Sequence, residues 1–244
     1  MRFAVLVALV AGCGRIGFGP TGDGGAGDGG DDAPGGGGGD GAMTDAAPIS
    51  SMCGTTVIID DSFTTGGTAG WMLVNTGSFN TAKINGVQRF SVNANATAGT
   101  RAAYQQTMSN DLTNTCIIAE LSQASSAAML RSYLRIGAPA KNLEIYIEAG
   151  QLWGRFTTSG GGTTGTIGPR AYNATQMRFL RIRWVAGNYQ FEYGADLQSW
   201  TAFGQQGGTL VDPSPTFVEF GALAAANQTV ASTVEFERIL MLGP

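Results

Sequence analysis

The sequence predicts an all-β domain, an antiparallel two-sheet sandwich, over residues 50–244, after a segment that cannot fold on its own. Three observations lead there. From Thr56 onward, short runs rich in Val, Ile, Phe, Tyr and Thr alternate with clusters of Gly, Asn, Ser and Thr. No stretch carries apolar residues at helical spacing. Sixteen of the 38 glycines are crowded together with six Asp in the first fifty residues, which leaves about 195 residues to build a core. That is a usual size for one sandwich, so a single domain is expected.

In chain order, Met1-Arg2 gives a positive start, Phe3 to Val10 is an unbroken apolar run, and Val10-Ala11-Gly12-Cys13 follows. The run is too short to span a bilayer as a helix and has the form of a signal-peptide core before small residues. The last four residues resemble the bacterial lipobox. The resemblance implies a signal peptide over 1–12, acylation of Cys13 as the mature N-terminus and a membrane partner through the lipid anchor. The alternative is an ordinary secretory signal with an incidental Cys. Gly14 after the Cys, where an Asp would retain some lipoproteins at the inner membrane, favours the outer membrane.

Residues 13–49 are mostly Gly, Asp, Ala, Pro and Thr. They have too little apolar bulk to offset the entropy of ordering, so they read as a solvated tether with a reach on the order of 30 Å. Asp23, Asp28, Asp31, Asp32, Asp40 and Asp45 face only Arg15 there, and this accounts for most of the formal charge of −4. No basic footprint for nucleic acid remains. Histidine is absent, so Ser-His-Asp and Cys-His chemistry is excluded and any acid/base work falls to carboxylates, Lys, Tyr or Cys. With Cys13 acylated, Cys53 and Cys116 are left as an even pair in an oxidising compartment, expected to form a disulfide, the alternative being two buried thiols.

Candidate strands cover 57–60, 71–74, 87–92, 101–106, 116–121, 129–136, 143–149, 152–157, 179–185, 189–193, 217–223 and 234–241. Two hairpins carry a register. A turn at Ala149-Gly150 sets Glu148 opposite Gln151, Tyr146 opposite Trp153 and Glu144 opposite Arg155, the last as an ion pair, with Ile147/Leu152 and Leu143/Phe156 on the other face. A turn at Gly187-Asn188 sets Arg183 against Glu192, Trp184 against Phe191 and Ile182 against Tyr193, charges outside and rings inside. The Gly/Thr-rich stretch 159–168 lacks the Lys and following helix of a phosphate loop, and reads as a flexible connection.

Ile58-Ile59-Asp60-Asp61-Ser62-Phe63 with Trp71, then Leu180-Arg181-Ile182-Arg183-Trp184 with Tyr189 to Tyr193, Asp196 and Trp200, then Val234 to Ile239, together resemble the concanavalin A-like lectin/glucanase jelly roll, and in particular its laminin-G-like members. The resemblance implies a jelly-roll topology over roughly 56–241. It supports the fold more than any activity.

Glu144-Ile145-Tyr146-Ile147-Glu148 is similar to the Glu-x-Asp-x-Glu strand of family-16 glucanases, in which the first Glu is the retaining nucleophile and the last the acid/base. Such a pair must bring its carboxyls to about 5–5.5 Å. Residues i and i+4 of a strand start roughly 13 Å apart, and Tyr146 replaces the organising Asp. A surface strand is the competing explanation. Asp60 and Asp61 are candidate ligands for a structural Ca²⁺, which wants six to eight oxygens, or else strand-end caps; no other cofactor is expected. Tyr146 beside Trp153, with Glu144, Glu148 and Arg155, is a candidate binding face: flat rings turned outward suit a sugar, or they cover a second sheet. The expected function is therefore a membrane-anchored binding module for carbohydrate or a surface protein. A structural envelope lipoprotein and a glucanase-type hydrolase are the alternatives.

Overall fold

Alternating burial along nearly every apolar run produces strands, and among the described residues there is no α-helix. The computed structural model describes residues 53–64, 70–107, 112–138, 141–157, 164–208 and 217–244. The segments expected to be a signal peptide and a tether, with Cys13, lie outside the described residues. The strands are β1 Thr56–Asp61, β2 Met72–Asn75, β3 Phe79–Ile84, β4 Val87–Val92, β5 Arg101–Thr107, β6 Cys116–Gln123, β7 Leu130–Ala138, β8 Lys141–Glu148, β9 Gln151–Thr157, β10 Thr164–Ala171, β11 Phe179–Val185, β12 Asn188–Gly194, β13 Thr201–Gly207, β14 Phe217–Ala224 and β15 Ser232–Gly243.

They form two antiparallel sheets. The first runs β13-β12-β11-β6-β15-β4-β3, with β1 also on β15; the second runs β10-β9-β8-β7-β14-β5-β2. The long β15 takes two partners end to end on one edge, β4 along Ser232 to Phe236 and β1 along Ile239 to Gly243. Between the sheets Phe220 of β14 is the hub of an aromatic cluster. Its ring centroid lies 5.0 Å from Trp71, 5.1 Å from Phe236, 5.5 Å from Phe63 and 5.9 Å from Phe90, mostly edge-to-face, the arrangement ring quadrupoles prefer.

The β8–β9 hairpin has the expected register, Tyr146 opposite Trp153 and Glu144 opposite Arg155. The β11–β12 hairpin corrects the sequence reading. Its turn is Ala186-Gly187, so Arg181 faces Glu192, Ile182 faces Phe191 and Trp184 faces Tyr189. The slip is two residues, which leaves every side chain on its expected face. Both turn residues have positive φ, 48° and 81°, as do Ala149-Gly150 at 52° and 69°. These left-handed pairs follow the twist of a tight hairpin. The stretch read as a flexible connection is in part strand β10, where Thr alternates with Gly along the sheet edge.

Cys53 and Cys116 form the expected disulfide, with Cα atoms 5.6 Å apart. It ties the chain ahead of β1 to the start of β6.

Candidate functional site

The outer face of the second sheet is set by pairing. Successive register partners align Arg155 of β9, Glu144 of β8, Arg135 of β7, Glu219 of β14 and Gln105 of β5 in one row across the strands. Two residues along lies an aromatic row, Trp153, Tyr146 and Tyr133, continuing through Gly221 and Ala103. Arg131, Leu223 and Arg101 flank it on the far side. The underlying pattern is Arg131-x-Tyr133-x-Arg135 on β7 against Glu144-x-Tyr146-x-Glu148 on β8. Antiparallel pairing sets Tyr on Tyr and Arg against Glu.

The charged groups close into a network. Arg135 donates to Glu144 Oε2 through Nε at 2.8 Å and to Glu219 Oε1 through Nη1 at 3.1 Å. The Tyr133 hydroxyl donates to the same Glu219 oxygen at 2.6 Å, and Arg101 Nη2 stands 3.3 Å from Glu219 Oε2. Arg131 binds Glu148 and reaches Glu144 Oε1 at 3.6 Å. Its guanidinium also lies over the Tyr146 ring, 4.4 Å from the centroid, as Arg135 does over Tyr133 at 4.8 Å. The arginines thus roof the aromatic row, and this is how Tyr133 and Glu219 come to be 0% exposed and Glu144 1% exposed on what would otherwise be a solvent face.

Burial raises the Tyr133 hydroxyl pKa well above its ordinary value, and the adjacent Glu219 charge adds to it. Burial opposes the charge of Arg135, yet Glu144, Tyr133 and Glu219 more than offset it and hold its pKa above the ordinary guanidinium value.

Two expectations are corrected here. Glu144 lies opposite Arg155 in register, but its ion pairs go to Arg135 and Arg131, because those guanidinium groups reach it across the neighbouring strand and along the aromatic row. Tyr146 does not turn a ring outward. It is 4% exposed, stacked at 6.4 Å and 10° on Trp153. Trp153, Arg155 and Glu148 are the partly exposed members of the candidate face, Glu148 being held by Arg131.

Elsewhere, Arg238 grips Asp60 with two hydrogen bonds of 2.7 Å, and Asp61 Oδ1 accepts the Phe63 backbone N–H at 3.0 Å. The two carboxylates thus hold different partners. Among the described residues no three His, Cys, Asp or Glu side chains gather as a metal set. Asp196 caps its own turn by accepting from the Gln198 and Ser199 N–H groups.

On the other sheet the charges expected outside are buried. Arg183 is 7% exposed, Arg181 1% and Glu192 3%, because the Cys53 segment and the Trp200 loop cover this face, and the expected Arg183–Glu192 ion pair forms at 2.9 Å although the two are not register partners. Arg181 bonds Glu192 at 2.6 Å and Cys53 Sγ at 3.2 Å beneath the Trp200 ring; burial lowers its pKa to about 10 despite Glu192.

At the level of sequence nothing matches, neither a family model nor a curated protein. Solved structures do match in shape. A Bacillus licheniformis beta-glucanase superposes with a TM-score of 0.59 at 9% identity, over 76% of this chain and 98% of that one. A laminarinase from Flavobacterium sp. UMI-01 gives 0.56 at 9% identity, over 77% and 100%. The CBM2 module of an evolved Dit from Lactobacillus casei BL23 phage J-1 gives 0.53 at 12%, over 76% and 94%. At such identities the likeness establishes architecture alone, and the domain is a concanavalin A-like jelly-roll sandwich.

Proposed function

We propose that the domain is a glycan-binding module rather than a hydrolase, with Trp153 as its platform, displayed outside the cytoplasm from an acylated Cys13. The observation that carries this reading is that Arg131 contacts both Glu144 and Glu148. These are the two positions that resemble a glucanase nucleophile and acid/base. With one guanidinium contacting both, Glu144 is not free to attack as a nucleophile nor Glu148 to hand a proton to a leaving oxygen, the two roles a retaining mechanism requires. What the network leaves accessible is a flat indole at its edge, suited to stacking on a pyranose ring. The glucanase and CBM likenesses agree with a carbohydrate ligand without specifying one.

The test uses the soluble piece from residue 50 on a glycan array, with β-glucan hydrolysis followed in parallel. Binding that Trp153→Ala abolishes, without release of reducing ends, is the expected result. Cutting of β-glucan that Glu144→Gln abolishes would overturn the reading in favour of an enzyme. Anchoring is checked separately: Cys13→Ser should move the full chain from the membrane to the soluble fraction.

A further inference from the structure

The charge pattern of the outer face has an odd member. Arg101, Arg131 and Arg135 are matched by Glu144, Glu148 and Glu219 in mutual ion pairs. Arg155 is the fourth arginine on that face. Its register partner Glu144 is taken by Arg131 and Arg135, and its other neighbour, across β10, is the neutral Thr166. No carboxylate among the described residues pairs with it. Arg155 is partly exposed and sits two residues from Trp153 on one strand, so both side chains stand on the same face, roughly 7 Å apart at their Cα atoms.

Resting on the glycan-binding reading, we propose that this site selects acidic polysaccharide, with a uronate ring stacked on Trp153 and its carboxylate held by Arg155. The dimensions agree: a guanidinium beside an indole spans a sugar ring and the carboxylate attached to it. A planar fork matches a carboxylate with two parallel hydrogen bonds. Among the described residues the other arginines of the face, Arg101, Arg131 and Arg135, are each ion-paired with buried or half-buried carboxylates, so recognition of the charge falls on Arg155. A neutral glucan would leave the guanidinium without a partner in the complex.

The experiment compares polygalacturonate with the same polymer after carboxyl reduction, which replaces each carboxylate by a neutral hydroxymethyl group, by calorimetric titration of the domain and of Arg155→Gln. Polyglutamate is the third probe, since it carries carboxylates without sugar rings. The proposal expects the parent to prefer polygalacturonate over the reduced polymer by about tenfold, the worth of one charge-assisted hydrogen-bonded contact. It also expects Arg155→Gln to abolish that preference, Arg155→Lys to restore only part of it, and polyglutamate to bind far more weakly. Urea melts of the variants should match the parent, because Arg155 lies outside the buried network. Equal binding of both galacturonate forms, or a preference that survives Arg155→Gln, overturns the proposal while leaving the glycan-binding reading in place. Polyglutamate binding as well as polygalacturonate also overturns it, in favour of an acidic protein partner. Failure of every polymer, neutral ones included, removes the underlying reading and the inference with it.

Discussion

Replacing Arg135 by Met keeps much of the side-chain volume and removes the one cation that joins Glu144 to Glu219. Those carboxylates are 1% and 0% exposed, so without Arg135 each keeps its desolvation and loses its best partner. Breaking a buried pair from one side costs about 3–5 kcal/mol. Arg131 at 3.6 Å from Glu144 and Arg101 at 3.3 Å from Glu219 remain, which places the loss near the lower end, about 3 kcal/mol. At roughly 2–4 °C per kcal/mol for a domain of this size, the melting temperature should fall by about 6–12 °C. Urea titrations of parent and variant at pH 7.5 measure the deficit, and adding Glu144→Gln to Arg135→Met should restore part of the loss, because one of the two buried carboxylates left short of a cation is then neutral. A deficit under about 1 kcal/mol, or no recovery on adding Glu144→Gln, would refute the claim that the network is buried and mutually dependent.

Three further outcomes follow from the packing. Cys53→Ala with Cys116→Ala opens a link of sequence separation 63 and should cost about 4 kcal/mol by loop-entropy reasoning; chemical denaturation of the double variant checks it. Phe220→Ala removes the ring that five others surround and should cost about 3–5 kcal/mol, read as a lower urea midpoint. Ala186→Asn, at φ 48° in the β11–β12 turn, should gain up to about 1 kcal/mol, because Asn tolerates the left-handed region that Ala does not; a small rise in melting temperature is the readout.

Much of this architecture was legible in the sequence because the interior strands advertise themselves. The β8–β9 register followed from Ala149-Gly150 and the alternation on both sides of it. The strands missed, β3, β10 and β13, all lie at sheet edges, where one side of the strand is unpaired and polar or Gly-rich sequence is tolerated. Asn85-Gly86 was a hairpin signal that could have exposed β3. The second hairpin slipped because Gly-Asn is a familiar turn dipeptide, whereas the chain accepts a left-handed Ala instead.

At the site, the sequence places Glu144 to Arg155 on the correct face and in the correct register, but gives Glu144 the wrong ion-pair partner. The actual partners, Arg131 and Arg135, lie on β7, which the β8–β9 register alone does not place. The complementary spacing of Arg131, Tyr133 and Arg135 against Glu144, Tyr146 and Glu148 was present to be seen. Glu219 offered no such pattern, since its role depends on β14 lying beside β7, a long-range contact that no local spacing encodes.

The most direct test of the central claim is an amide and indole chemical-shift map of the domain during titration with oligogalacturonate. The account predicts that the largest changes fall on Trp153, its indole N–H, Arg155 and Thr166, with the Arg181 to Trp200 side of the molecule unmoved. Changes centred on the Asp196 to Trp200 loop or on Asp60 and Arg238, or no change at all at saturating sugar, would contradict it.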